Sequence, residues 1–103
     1  MLFVAIAQHS PAQCPGYDKA TNDSVSANMP KLPELAQKRR VNLVGMYVQM
    51  GSHKTIIIMD APSYEAAEGL LDDAGLPGWN TIEMAQAYTP EEAMKRTQAE
   101  HLR

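Results

Sequence analysis

Residues 41–62 read VNLVGMYVQMGSHKTIIIMDAP. Val41 to Met50 and His53 to Asp60 are two runs rich in β-branched and apolar residues, as strands are. Between them stands Gly51-Ser52. Glycine at the first central position suits a type II′ turn, whose twist matches that of the flanking strands. The stretch is therefore predicted to be a two-residue hairpin, and Ala61-Pro62 leads out of it towards a helix.

Upstream, residues 2–9 (LFVAIAQH) read as a first strand and residues 10–16 (SPAQCPG) as a Pro- and Gly-marked loop. From Tyr17 to Arg40 the pattern is mixed. Val25, Met29, Leu32 and Ala36 keep helical spacing, but Pro30 and Pro33 each remove a backbone donor. A bent or two-part helix is expected, its better half ending at Lys38-Arg39-Arg40, where cations suit the dipole.

Downstream, Ser63 is the expected cap of a helix running to about Ala74, with Ala66, Ala67, Leu70, Leu71 and Ala74 as its buried stripe. Gly75 and Pro77 stop it. Asp72 and Asp73 oppose its dipole, and the sequence offers no account of them. Thr81 to Tyr88 read as a fourth strand. Thr89 and Pro90 then open a last helix as cap and first helical residue, with Glu91 and Glu92 in its first turn. Its tail, ending in Arg103, is expected to fray, with His101 exposed on it.

Strand, helix, strand, strand, helix, strand and a short C-terminal helix make the ferredoxin-like βαββαβ pattern, an α+β fold. Its usual sheet is antiparallel in the order 4-1-3-2, with one face under the helices and the other bare. At 103 residues the chain is expected to be a single domain, 1–103, with a small core and stability shared with a partner.

The hairpin GMYVQMGSHKTIIIMDAP and the later TIEMAQAYTPEEA resemble the GYD-domain group of small dimeric α+β barrel proteins. The likeness covers residues 41–93. The Gly-x-Tyr-Asp turn that names the group reads Gly51-Ser52-His53-Lys54 here, so no role of that Tyr-Asp pair carries over. The resemblance implies a ferredoxin-like subunit and a dimeric barrel. Relatives of the fold include isomerases, monooxygenases and haem enzymes, and fold alone does not choose among them.

Alternation assigns the strand faces. Leu2, Val4 and Ile6; Val44, Met46, Val48 and Met50; Ile56 and Ile58; and Ile82, Met84 and Tyr88 are expected under the helices. Phe3, Ala5, Ala7 and His9; Leu43, Gly45, Tyr47 and Gln49; His53, Thr55, Ile57 and Met59; and Thr81, Glu83, Ala85 and Ala87 are expected on the opposite face. That second set is too apolar to be fully solvated. A second copy packed sheet to sheet would cover it, in a homodimer or higher oligomer.

The topology gathers the end of the first strand, the hairpin turn and the start of the fourth strand at one edge. His9, Cys14, His53, Tyr47 and Gln49 are expected to converge there. His9 and His53 are the candidate catalytic acid and base. Tyr47, Gln49, Thr55 and Glu83 are the candidate ligand-binding residues. The concrete reading is a cofactor-independent isomerase or oxygenase acting on a small aromatic or lactone-like compound. A non-catalytic assembly or regulatory subunit is the alternative, with the same residues as ordinary packing. A metal-binding module is another, using His9, His53 and a subsidiary Cys14. No short metal-ligand spacing supports it.

Cys14 is the only cysteine, with no basic neighbour in sequence, and reads as structural or incidental; no intrachain disulfide is possible. Trp79 reads as a packed loop anchor before a pocket lid, and the methionines of the core face as gap fillers. No cofactor is named by any motif, and no haem attachment motif is present. A formal charge of -3, with no basic cluster wider than Lys38-Arg39-Arg40, argues against nucleic-acid binding. No run approaches the roughly 20 apolar residues of a membrane span. The apolar start at Met1 lacks a basic leader and reads as a strand, so the expected location is cytoplasmic.

Overall fold

The computed structural model describes residues 1–101, with side chains described through residue 99. The expected frayed end at Arg103 and the exposure of His101 fall outside that range. Four strands form one sheet: β1 (Leu2–Gln8), β2 (Asn42–Gln49), β3 (Lys54–Asp60) and β4 (Thr81–Ala87). Their order is β2-β3-β1-β4 and every pairing is antiparallel. With the helices this is the ferredoxin-like α+β fold.

The first crossover is the two-part helix that the prolines demand. α1 (Lys19–Asn28) gives way to a 3-10 turn at Met29–Lys31, and α2 (Leu32–Lys38) follows. Asp18 caps α1: its carboxylate accepts from the Thr21 amide at 3.1 Å and the Thr21 hydroxyl at 2.6 Å. α2 closes in a Schellman motif. The Val41 amide donates to the Ala36 carbonyl and the Arg40 amide to that of Gln37. Arg40 takes the left-handed conformation, φ 58°, that such a cap requires.

The second crossover, α3 (Tyr64–Asp73), starts at Ser63, whose hydroxyl accepts from the Ala66 amide. It ends at Gly75, with φ 75°. Asp73 now has its account. Arg39 reaches from the end of α2 and grips its carboxylate through Nε at 2.6 Å and Nη2 at 3.1 Å. The guanidinium lies against Gly69, where a Cβ would occupy its place. α4 (Pro90–His101) begins with a capping box: the Thr89 hydroxyl accepts from the Glu92 amide, and Glu92 accepts from the Thr89 amide. Through residue 99 its side chains are exposed.

The face assignment is corrected on β1 and β3. Phe3, Ala5, Ala7, Thr55, Ile57 and Met59 are buried under the helices. Leu2, Val4, Ile6, Ile56 and Ile58 lie on the open face. The middles of both strands are apolar on both faces, and the polar residues that mark the open face, Gln8, Lys54 and Asp60, stand only at the strand ends. What decides is fit. Small residues are buried on both layers: Ala5 and Ala7 on the strand side, and Ala36 and Ala67 on the helices. On β2 the register shifts between Leu43 and Gly45, a β-bulge. Leu43 and Met46 therefore both pack on the core, and Val44 is 55% exposed. β4 follows expectation, with Ile82 and Met84 on the core. Tyr88 lies beyond the strand rather than within the core face, with the Arg96 guanidinium 4.6 Å above its ring.

The hairpin loop is also corrected. The last pair is Gln49 with Lys54, and a 3-10 turn at Met50–Ser52 precedes His53. The loop is four residues long, not two. The left-handed conformation falls on His53, φ 54°, rather than on Gly51.

Candidate functional site

Three features of the backbone build the site. β1 ends at Gln8, and His9 follows, its amide donating to the His53 carbonyl at 3.1 Å. That bond ties the strand end to the hairpin loop. The left-handed turn at His53 fixes where its own side chain leaves the loop. The third feature is the loop into α1, where a 3-10 turn at Pro11–Gln13 places Cys14. The Cys14 carbonyl then accepts from the amides of Tyr17 at 2.9 Å and Asp18 at 2.8 Å.

These pieces bring His9, Cys14 and His53 together. One potential ligand atom from each lies within 4.8 Å of the other two. The imidazoles meet edge to face with ring centroids 5.2 Å apart, and Trp79 stands 5.1 Å from His9 on another side. Both ring nitrogens of His9 and Nδ1 of His53 are buried without a hydrogen-bond partner. A buried polar atom left unpaired costs about 1–3 kcal/mol. Three on two touching rings mark a place prepared for something else.

A cavity of about 280 Å³ adjoins them between the sheet and α1. Val25, Met29, Met46, Val48, Leu76 and Trp79 supply its apolar walls, and the His-Cys-His group its polar end. A larger groove of about 720 Å³ runs between α2 and β2, but its wall carries one ionisable side chain, Arg40. It is open, so the more enclosed smaller cavity is the better candidate.

The candidate residues divide. His9, His53, Cys14, Gln49 and Thr55 border the cavity. Thr55 is buried on the helix side, not on the open face. Tyr47 is 62% exposed on the open face, folded over Gly45, and does not join the group. Glu83 is exposed on that same open face, opposite Ile6 on β1. Cys14 lies with His9 and His53, as the topology predicted. Trp79 is both anchor and wall. The 3-10 turn at Leu76–Gly78 delivers it to the edge where the topology put the start of the fourth strand.

Away from the cavity, hydrogen bonds hold three carboxyls below their ordinary range. Arg39 lowers Asp73, Thr21 lowers Asp18, and the Thr89 amide and hydroxyl lower Glu92. None borders the site.

No protein-family model matches the chain, and no curated protein matches it. Among solved structures, similarity extends to a proposed transposase from Deinococcus radiodurans R1. It is 12% identical with a TM-score of 0.51, over 98% of this chain and 89% of that one. The chain is also similar to TftG from Burkholderia phenoliruptrix AC1100, a 5-chloro-2-hydroxyhydroquinone dehydrochlorinase solved with 2,5-dihydroxybenzoquinone. There the identity is 13% and the TM-score 0.50, over 89% of this chain and 98% of that one. At such identities the likeness is one of fold.

Proposed function

We propose that this chain is a single-domain, small-ligand-binding protein whose cavity takes one compact, largely apolar ring compound bearing hydroxyl or carbonyl groups. The observation that carries this reading is the set of unpartnered, buried imidazole nitrogens at the polar end of an apolar cavity of about 280 Å³. A ring fits the walls, and its oxygens would satisfy the imidazoles. His9 and His53 then act as proton carriers, one accepting while the other donates, as an isomerisation or elimination on such a ring needs. Thr55 and Gln49 orient the ligand from the β3 and β2 sides. TftG, with its hydroxylated quinone, is similar in fold and supports the substrate class.

A second copy of the chain covers the open sheet face in this reading. That face presents Val4, Ile6, Ile56 and Ile58 around Tyr47, with Lys54 and Glu83 among its few charges. The GYD-group resemblance of residues 41–93 supports the same dimer. The cavity lies on the helix side, so dimer and ligand do not compete for one surface.

The test uses Trp79, the only tryptophan in the chain, as its reporter. Hydroquinone and catechol are titrated against the purified protein while its fluorescence is followed. Saturable quenching is expected, with binding weakened at least about tenfold in His9→Ala and in His53→Ala. Quenching that stays linear with concentration and is equal in all three proteins would remove the ligand reading.

A further inference from the structure

We propose that His9, Cys14 and His53 form a binding site for a late transition-metal ion of the zinc class. The chemistry of the donor set is the first argument. Two imidazoles and one thiol are borderline-soft ligands, and no carboxylate belongs to the cluster. Hard cations such as magnesium and calcium require oxygen, so this set selects against them. Two neutral imidazoles and one thiolate leave a net charge of +1 around a divalent ion.

Geometry is the second argument. Metal bonds of about 2.0–2.3 Å place tetrahedral ligand atoms roughly 3.3–3.7 Å apart. The three donors already lie within 4.8 Å of one another, so modest side-chain rotation closes the site. Their backbones are held independently of any ion, by the hydrogen bond from the His9 amide to the His53 carbonyl and the double acceptance at the Cys14 carbonyl. Binding therefore demands little reorganisation of the chain. The unpaired nitrogens supply the third argument. Both ring nitrogens of His9 and Nδ1 of His53 have no protein partner, so each is free to bind an ion.

Three protein ligands leave a fourth position open, and the cluster borders the cavity. The ion is thus reachable by a small molecule from that side. The site stands on its own donors, and an ion bound there would take the imidazole nitrogens that the ligand reading uses as proton carriers.

The experiment strips the full-length protein with chelator and titrates it with Co²⁺, a spectroscopic stand-in for zinc. Expected are one equivalent bound per chain, visible absorption of tetrahedral character, and a near-ultraviolet thiolate-to-cobalt band. Cys14→Ser should lose that band, and His9→Ala should weaken binding at least about tenfold. A wild-type readout guards against a variant that fails to fold. Zn²⁺ should protect Cys14, the only thiol, from iodoacetamide at one equivalent. Absence of stoichiometric binding, or alkylation unaffected by Zn²⁺, overturns the site. So does binding that survives in both variants. If metal fails while hydroquinone still quenches Trp79 saturably, the metal site falls and the ligand pocket stands. The converse result removes the pocket reading and keeps the metal.

Discussion

His53 pays a local cost for its position. A non-glycine residue in the left-handed region is disfavoured by about 1 kcal/mol, and this one also buries an unpaired ring nitrogen. Strain of this kind persists where surrounding structure over-determines it, and such places are often functional. His53→Gly is therefore expected to hold stability or raise it by up to about 1 kcal/mol, while losing the Co²⁺ and hydroquinone responses. His53→Ala loses the same responses but keeps the backbone strain, so its urea midpoint should fall below that of the glycine variant. Equal midpoints would mean that the loop relaxes and stores no strain. Gly45 is the contrasting case. The Tyr47 ring lies where its Cβ would be, so the Gly-x-Tyr spacing reflects packing on the open face rather than chemistry.

At the scale of elements, the crossovers are fastened at their ends. Arg40 sits at the position where a Schellman cap prefers glycine. Arg40→Gly is expected to raise stability by up to about 1 kcal/mol, read as a higher urea midpoint with an unchanged slope. Gly69→Ala should act in the opposite direction, because its methyl group displaces the Arg39 guanidinium that joins α2 to α3. The same contacts set an acid limit. Asp73, Asp18 and Glu92 have folded pKa values below their ordinary ones. Their stabilisation is fully present above about pH 5 and is lost as pH falls through the lowered folded values. Melting temperature followed from pH 7 to pH 3 should thus be flat with respect to these groups and then drop. Asp73→Asn should melt lower at neutral pH and lose less on acidification. An unchanged acid profile in that variant would show that the Arg39 contact contributes nothing.

For the whole molecule, one sheet carries two different surfaces. The helix side holds the core and the cavity; the other is an apolar face with no cover from the described residues. The principal extents of 54 × 30 × 18 Å describe a thin layer from which α4 stands exposed. A helix of this length is marginal in water without tertiary packing. Ile58→Glu, on the open face of β3, is expected to convert a dimer into monomers in light scattering while leaving Co²⁺ binding intact. In the dimer, α4 amides should exchange more slowly than in that monomer. A wild-type protein that runs as a monomer at all concentrations would remove the sheet-to-sheet assembly.

The sequence by itself determined the order of elements, because helix caps, prolines and turn residues act within a few positions of themselves. Ser63, Gly75, Thr89 and the Pro30–Pro33 bend all did what local chemistry dictates. It also placed His9 and His53 at one sheet edge, since antiparallel pairing fixes where strand ends meet. Only tertiary structure decided which face of β1 and β3 goes inside. The middles of these strands are apolar on both sides, and the side taken inside is the one carrying Phe3, Ala5, Ala7, Ile57 and Met59. The β2 bulge and the left-handed turn at His53 were likewise set by long-range fit. Cys14 joins two histidines from elsewhere in the chain because the loop into α1 folds back over the strand ends. The topology read from sequence put Cys14 at that edge with the histidines, and the tertiary structure set how close they come and left Tyr47 out.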